Sequence, residues 1–345
     1  MQFQQEQIDF VVTWVDGKDP VWQKERRKWK SGGHPEEEDT LSEIDDREER
    51  YRDYGLMRYW FRGVEAFAPW VRKIHFVTCG HVPEWLDTTN PKLHIVRHDS
   101  YLPENALPTF NSNAIELAIH RIEGLSERFV YFNDDIFPVK DLRPSDFFRK
   151  GLPCDMLAFQ PVVANPDNPI MSHTFINNSL VISRHFDKRE NIRKQPGKYY
   201  KFGYPPMYFV YNLLELAFPR FTGFYTVHGP YPFLKTTFEE VWEKEGEELR
   251  KTVFHRFRSK EDVSIYLLRD WQKLSGHFIP RNLHRDFAYY ELTSDNSRLL
   301  SELRLPKKKI ICINDASQEV DYEKTKGELE RAFEAMLPEK CSFER

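Results

Sequence analysis

The chain has 345 residues, of which 40% are hydrophobic and 30% charged, and its formal net charge is −4 at pH 7. This is the composition of a globular protein, and the slightly acidic balance gives no general attraction for nucleic acid, so we expect no nucleic-acid partner. Aromatic residues reach 15%, an excess that suits either an aromatic-rich core or clefts that bind sugars. The four cysteines are widely spaced without a CxxC pair, which indicates neither a zinc site nor a disulfide framework.

No targeting or membrane-spanning pattern is visible in the sequence. Residues 1–7 are polar, and no segment approaches the ~18 consecutive apolar residues of a transmembrane helix. We therefore expect a cytoplasmic protein without a transmembrane segment. Peripheral contact with a membrane stays open, because surface docking needs only an amphipathic or basic patch.

Short apolar runs alternate with helical patterns through the first part of the chain. Strands are predicted over residues 8–15, 73–78, 93–96 and 129–132, and helices over residues 54–67 and 112–124. In the second helix, Asn113 and Glu116 have the spacing of a capping box, and Gly124 suits the C-terminal stop. This alternation predicts an α/β fold in which a mainly parallel, Rossmann-like sheet is flanked by helices in three layers.

The remainder is less regular and rich in aromatic residues, with mixed character over residues 155–186. We predict a helix at 262–274, a strand at 309–314, and a final amphipathic helix from the spacing of Leu329, Phe333, Met336 and Leu337. Residues 1–320 are interpreted as one domain with a charged, solvated insertion at about 24–52, followed by a C-terminal amphipathic helix within 321–345.

Acidic and amide side chains follow two of the predicted strands. Asp16 comes after the first strand, and Asn133, Asp134 and Asp135 come after the strand that ends at Phe132. Carboxyl ends of parallel strands meet at one edge of a sheet, where ligands bind, so we expect these side chains to converge. Such oxygen donors suit a cation such as Mg²⁺. The alternative is that Asp-Gly and Asp-Asp only cap turns.

Two further positions could handle a phosphate group. His228 lies among aromatic residues and prolines in VHGPYPFLK, a setting that can hold an imidazole rigidly for proton transfer. Arg256 and Arg258 in HRFRSKED fall on one side of an extended segment, as a phosphate clamp requires. A structural histidine and surface charge are the alternatives. P-loop, GxGxxG, GxSxG and HExxH motifs are absent from the sequence, which argues against the common nucleotide hydrolases, dehydrogenases, serine esterases and zinc proteases.

These segments together resemble a known family. IDFVVTWVDGKDP, RYWFRGVEAFAPWVRKIHFVTCGHVPEWLD, LPTFNSNAIELAIHRIEGLSERFVYFNDDIF, HGPYPFLK and RFRSKEDVS look like the four ordered conserved regions of Stealth proteins. That family comprises hexose-1-phosphate transferases of bacterial capsule and exopolysaccharide synthesis and has an animal relative, the GlcNAc-1-phosphotransferase that marks lysosomal enzymes. The resemblance runs from Ile8 to Asn314. The segment DYGLMRYWFR departs from the family's usual pattern but keeps Asp53, Arg58 and Arg62.

The resemblance implies roles for particular residues. Asp134 and Asp135 would hold Mg²⁺ or Mn²⁺, and Arg258, with Arg256 as a second candidate, would neutralise the transferring phosphoryl group. Asn111, Asn113 and Arg58 would bind substrate. His228 and Asp16 compete for the role of general base.

The resemblance also implies a reaction. A UDP-sugar would donate its sugar-1-phosphate to a hydroxyl of a glycan or lipid-linked glycan, and UMP would be released in the cytoplasm of a bacterium, at the inner face of the membrane. A conventional metal-dependent glycosyltransferase, which releases UDP, is the alternative. A second alternative is that the protein is not an enzyme but a carbohydrate-binding subunit without catalytic activity.

Overall fold

The computed structural model describes residues 7–30, 44–45, 52–166, 168–315 and 320–345. Its strands are β1 (Ile8–Thr13), β2 (Ile44–Asp45), β3 (Ile74–Thr78), β4 (Leu93–Arg97), β5 (Arg128–Phe132), β6 (Ile136–Pro138), β7 (Phe148–Arg149), β8 (Leu152–Asp155), β9 (Tyr231–Leu234), β10 (Arg258–Ser259), β11 (Ile279–Pro280), β12 (Phe287–Glu291) and β13 (Ile310–Asn314).

Its helices are α1 (Pro20–Lys30), α2 (Met57–Phe67), α3 (Ser112–Leu117), α4 (Pro144–Phe147), α5 (Pro169–His185), α6 (Lys188–Lys194), α7 (Pro196–Tyr199), α8 (Pro206–Leu214), α9 (Lys235–Phe254), α10 (Ile265–Leu274), α11 (Ser297–Arg304) and α12 (Tyr322–Met336). Within these described residues, no helix is both long enough and apolar enough to cross a lipid bilayer.

The central sheet has five strands in the order β4-β3-β1-β5-β9. The first four are mutually parallel, and β9 runs antiparallel to β5. Strand β1 lies in the middle, where Val12 faces Phe76 on one side and Phe132 on the other. The predicted α/β fold with a mainly parallel sheet is confirmed.

Helices cover both faces of this sheet, because its strands alternate apolar side chains between two cores. On one face, Phe10 and Val12 pack with α2 and α12, including Phe333. On the other face, Val11 and Tyr131 pack with α3, α9 and α10. The arrangement is the expected three layers.

A second, smaller sheet joins the C-terminal half to the first. Strand β13 pairs antiparallel with β6 and parallel with β12, which brings Cys312 opposite Ile136, the residue after Asp135. Helix α2 packs closely on β6 because Gly63 has no side chain: a Cβ there would lie 2.6 Å from the carbonyl oxygen of Pro138. These contacts fix the edge of the central sheet where the acidic residues lie.

The predicted elements differ from the structure at several places. Helix α3 begins at an N-cap formed by Asn111, whose extended backbone lets its side chain accept from the N–H of Asn113. The predicted capping box on Asn113 and Glu116 is therefore wrong. The helix also ends early, at Leu117, and a single 3₁₀ turn follows before Gly124.

Helix α5 was not predicted, because two polar residues, Thr174 and Asn178, belong to its buried stripe. The final helix is confirmed, and Leu329 and Phe333 are buried as its spacing indicates. Helix α1 covers the start of the charged insertion; most of the remaining insertion lies outside the described residues.

Candidate active site

Acidic side chains gather at the carboxyl edge of the central sheet. Asp134 and Asp135 follow β5 directly, and Asp16 follows β1. Asp53, which precedes α2, joins them: its carboxylate accepts hydrogen bonds from the Trp14 indole (3.3 Å) and the backbone of the following turn. The edge is therefore a cluster of four acids rather than the three that the strand ends predict.

Electrostatic effects show how closely these acids interact. Burial, with a contribution from Asp16, raises the pKa of Asp53. The Asp134 side chain reaches solvent on one side, but the protein around it removes much of its hydration. This desolvation, together with the negative charges of Asp135 and Asp53, raises the pKa of Asp134 to about 8. Like charges held this close oppose one another's ionisation, which is the condition that a bound cation relieves.

Asp16 lies in a tight turn beside this cluster. Its carboxylate accepts from the Lys18 N–H at 2.9 Å, so the turn-capping role that Asp-Gly often plays is present. Its own N–H donates to His81 Nε2 at 2.8 Å, and burial lowers the pKa of His81. The neutral His81 ring thereby fixes the backbone that carries Asp16.

Asp135 connects the acids to His228. One carboxylate oxygen accepts from His228 Nε2 (3.1 Å) and from the Cys312 thiol (3.3 Å). The other oxygen is buried and has no hydrogen-bond partner among the residues that the structure describes. Burial and the neighbouring carboxylates raise the pKa of Cys312 well above its ordinary value, so the thiol is protonated and acts as a donor to Asp135.

The His228 ring is held from both sides. Its Nδ1 lies 3.3 Å from the hydroxyls of both Tyr266 and Tyr231. Burial opposes the charged ring, but the Asp135 carboxylate outweighs it and raises the pKa of His228. The protonated imidazole, which is what a base becomes after it takes a proton, is therefore the stabilised form here.

A buried ion pair anchors the segment that leads to His228. Arg269 donates two hydrogen bonds of 2.6 Å to Asp155 and one of 3.0 Å to the carbonyl of Val227. Both charged side chains are almost completely inaccessible to solvent. Losing one partner of such a pair leaves an unpaired buried charge, so the position of His228 depends on Asp155 although the two are far apart in sequence.

The two arginines of the predicted phosphate clamp point to different places. Arg258 donates to Ser112 Oγ at 2.5 Å and its charge acts on Glu116 and His228. The guanidinium of Arg256 instead donates to backbone carbonyls and stacks over the Trp29 ring at 4.0 Å. The chain bends at residues 256–257 and is extended only at 258–259, which separates the pair. Of the two arginines, Arg258 is the one whose charge acts on His228.

Asn111 and Asn113 bind the protein itself. Asn111 is fully buried, and its amide donates to Asp262 (2.8 Å) as well as to two backbone carbonyls. Asn113 donates to the same carboxylate oxygen at 3.2 Å, which also accepts from the N–H of Ser259. The two asparagines therefore hold the segment that carries Arg258, and a direct contact with the donor stays a prediction.

Glu116 and Asp262 belong to the site although sequence reasoning did not select them. The Glu116 carboxyl is buried below Arg258 and accepts from Tyr131 at 3.1 Å; burial raises its pKa. Asp262 is fully buried at the base of the arginine segment. In the sequence, Glu116 looks like a helix-capping residue and Asp262 looks like a surface acid. No sequence pattern therefore identifies either residue as part of the site.

Arg58 lies in the first turn of α2, where its guanidinium sits over the Trp85 ring at 5.7 Å. Its substrate-binding role stays a prediction.

The acids at the sheet edge fit a hard divalent cation. Asp134 and Asp135 offer carboxylate oxygens from adjacent residues, and one Asp135 oxygen is buried without a partner. Asp135, His228 and Cys312 also lie close enough to share an ion. The thiol of Cys312 is protonated, however, whereas a metal-bound cysteine is a thiolate. We therefore favour the two carboxylates, as for Mg²⁺ or Mn²⁺.

The segments that carry these side chains match models of one protein family. Three models match the chain: Stealth protein conserved region 1 at residues 6–33, conserved region 2 at residues 50–154 and conserved region 3 at residues 227–268. The acids fall in the first two regions, and His228 and Arg258 fall in the third. The chain belongs to the Stealth protein family.

Its relatives are phosphotransferases. It is 40% identical over 340 residues to the capsular polysaccharide phosphotransferase WcwK of Streptococcus pneumoniae, covering 99% of this chain and 98% of the relative. It is 38% identical to the receptor polysaccharide phosphotransferase WefC of Streptococcus gordonii (98% and 99%). It is 36% identical to the exopolysaccharide phosphotransferase cps2G of Lactiplantibacillus plantarum (98% and 96%). The chain is an enzyme that transfers phosphorus-containing groups.

Proposed function

We propose that this enzyme transfers hexose-1-phosphate or N-acetylhexosamine-1-phosphate from a UDP-sugar to a hydroxyl of a glycan or lipid-linked glycan. The product is a phosphodiester, UMP is released, and the pathway is capsular or exopolysaccharide synthesis in a bacterium, at the inner face of the membrane. Relatives with 36–40% identity carry polysaccharide phosphotransferase names. The observation that carries the proposal is that His228, Arg258 and the Asp134–Asp135 pair meet at one sheet edge.

In this reaction the acceptor hydroxyl loses its proton to Nδ1 of His228, the ring nitrogen that does not donate to Asp135, and its oxygen attacks the β-phosphorus of the donor. The bond from that phosphorus to the oxygen bridging the two phosphates breaks, and UMP leaves with that oxygen. Asp135 stabilises the resulting imidazolium through the Nε2 hydrogen bond. A positioned base of this kind contributes typically ~10²–10⁴-fold to the rate.

Charge stabilisation comes from two sides of the site. Arg258 lies on the α3 side, where it donates to Ser112 and can place its remaining N–H groups on phosphoryl oxygens. On the other side, Asp134 and Asp135 would hold Mg²⁺ or Mn²⁺, which when bound supplies positive charge to the pyrophosphate. Phosphoryl transfer is mainly positioning and charge stabilisation, and these residues are of the types it needs.

Asp16 is the competing base. Its N–H and one carboxylate oxygen are engaged in the turn with His81 and Lys18, which suits a side chain that orients ligands. His228 instead has a carboxylate partner, Asp135, that stabilises the imidazolium formed when the ring takes a proton. We therefore assign proton transfer to His228.

The test is the nucleotide product. The purified full chain is incubated with Mg²⁺, a panel of UDP-hexoses and UDP-N-acetylhexosamines, and candidate acceptor glycans, and the nucleotide is identified by chromatography. We expect UMP, which disappears with Asp135→Asn. The matched control is Asp141→Asn, because Asp141 is an exposed acid six residues further along the chain. UDP as the product would replace our proposal with a conventional glycosyltransferase.

A further inference from the structure

One face of the protein presents large apolar side chains to solvent. It consists of Phe202, the outer side of α8 and the turn that follows. Phe202 is 97% exposed and Leu214 is 60% exposed. The other exposed apolar members are Met207, Val210, Leu213, Leu216 and Phe218. We refer to these seven residues as the α8 face.

Helix α8 carries apolar side chains on its outer side as well as on its inner side. Met207, Val210 and Leu214 follow one another at helical spacing on the outer side, whereas Tyr208 packs in the hydrophobic core and Asn212 is buried. Folding therefore uses the inner apolar side and leaves a second apolar stripe exposed. Contiguous exposed apolar surface of this kind marks an interaction site.

The α8 face has no exposed acid. Between Asn191 and Phe238 the only acidic residue is Glu215, and it is buried. Its carboxylate accepts from the Thr222 N–H (2.9 Å) and hydroxyl (2.7 Å), and it pairs with the buried Lys188. The seven residues of the α8 face therefore carry no negative charge, and the exposed acids that flank Lys188 in sequence are Asp187 and Glu190.

A basic pocket of about 380 Å³ adjoins the face at Phe202. Its charged wall residues are Arg149, Lys201, Arg281, Arg285 and Asp286. Arg281 and Asp286 form an ion pair with each other. Arg149, Lys201 and Arg285 are exposed and form no ion pair with any described residue. The pocket thus offers three free positive charges next to the most exposed aromatic side chain.

We propose that the α8 face docks on an anionic lipid bilayer, with its apolar side chains at the boundary between headgroups and acyl chains and the basic pocket on lipid phosphates. Apolar side chains bordered by Lys and Arg are the combination that binds such a surface. A second copy of the chain is a poorer occupant, because a two-fold interface places the same patch against itself and would bring the basic pockets together. This docking gives the membrane location in the proposed function a defined protein surface, and it does not depend on the transfer chemistry.

The inner side of α8 leads directly to the active site. The Tyr208 ring lies 4.3 Å from that of Tyr225, between centroids, and Tyr225 is three residues before His228 in the chain. Docking through the α8 face therefore holds the proton-accepting residue at a defined place relative to the bilayer. An acceptor anchored in the same bilayer would then reach His228 by diffusion within the plane of the membrane rather than through bulk solution.

The experiment is vesicle co-flotation of the full chain, without donor or acceptor. Vesicles contain phosphatidylcholine alone or with phosphatidylglycerol, at low and high salt. We expect binding to the anionic vesicles that weakens at high salt. Leu214→Ser with Phe218→Ser should weaken it by about tenfold or more, because two apolar side chains are lost from the interface. Lys201→Gln with Arg285→Gln should weaken it by about fivefold per charge.

The control is Val21→Ser, which removes an even more exposed apolar side chain from α1, and this variant should bind as the unmodified protein does. Circular dichroism checks that each variant is folded, and UMP release with a soluble acceptor, expected to be unchanged, separates docking from catalysis. Absence of binding to anionic vesicles, or equal binding by all variants, overturns the proposal. So does a dimer in sedimentation that Leu214→Ser with Phe218→Ser dissociates, since the face would then be a protein interface.

Discussion

Removing the Asp262 carboxylate should weaken both the fold and the reaction. This side chain is fully buried and accepts from four donors: the amides of Asn111 (2.8 Å) and Asn113 (3.2 Å), the N–H of Ser259 (3.1 Å) and His255 Nδ1 (2.7 Å). It ties the start of α3 to the segment that carries Arg258, the arginine to which we assign charge stabilisation. No substrate needs to touch it for this role, so we regard it as a positioning residue.

The size of the effect follows from the donors that would be left over. In Asp262→Ala, Asn111 keeps two backbone carbonyls as partners, whereas the Asn113 amide and the Ser259 N–H lose the partner described for them. His255 loses its acceptor as well, but its side chain is 30% exposed and can donate to water instead. An unsatisfied buried donor costs ~1–3 kcal/mol, so the expected loss is about 2–6 kcal/mol. Asp262→Asn keeps one acceptor oxygen and should lose about 1–2 kcal/mol. Both should lower kcat, because the arginine segment is released.

The pH dependence distinguishes the charge of Asp262 from its shape. The hydrogen bond to Asp262 raises the pKa of His255, against a smaller opposing effect of burial. Because the folded-state value lies above the unfolded value, this stabilisation is fully present below the unfolded pKa of about 6.5 and disappears as pH rises through the folded pKa. The free energy of unfolding, measured in urea, should therefore differ more between wild type and Asp262→Asn at about pH 5.5 than at about pH 8.5.

Two results would refute this reasoning. A stability difference between wild type and Asp262→Asn that is independent of pH would show that the His255 pair contributes nothing. Wild-type kcat in Asp262→Ala, in a folded protein, would show that Arg258 does not depend on this carboxylate. Asp141→Asn, an exposed acid replaced in the same way, provides the control for a nonspecific loss of charge.

Four further substitutions test the other parts of the site. His228→Gln should lower kcat by ~10²–10⁴-fold with little change in KM, and a change confined to KM in steady-state kinetics would assign the ring to binding instead. Arg258→Gln should lower kcat/KM by ~10²–10³-fold. Arg256→Gln should change the melting temperature more than the kinetics, because the Arg256 guanidinium lies over Trp29. Equal losses of kcat/KM in the two variants would contradict the different placement of the two arginines. Asp155→Asn should destabilise the fold by about 3–5 kcal/mol in calorimetry, because its arginine partner stays buried and charged, and an unchanged melting temperature would contradict the buried pair.

Much of the fold could be predicted because it depends on local patterns. The run IDFVVT combines β-branched and apolar residues and is buried on both faces, which is the pattern of a central parallel strand. Once the strands are parallel, Asp16 and Asp134 must emerge at the same edge. The placement of these acids therefore followed from topology.

The missing parts depend on contacts between distant residues. Asp53 joins the acids through the Trp14 indole, a contact across 39 positions that no spacing reveals. Arg256 and Arg258 have the spacing of neighbours on an extended segment, but the bend at 256–257 separates them. Local sequence patterns predict which side chains share a face if the backbone is regular. Tertiary packing determines whether the backbone is regular there.

The antiparallel pairing of β5 with β9 has a consequence for how activity arises. Asp135 follows β5 and His228 precedes β9, so these two partners are separated by 93 positions in sequence. Closing so long a loop is slow compared with forming local helices. During refolding from urea, we therefore expect enzymatic activity to return with the last kinetic phase, after most of the helical signal has recovered. Enzymatic activity therefore reports that β9 has paired with β5. A fragment that ends before β9 lacks this pairing and would not assemble the active site.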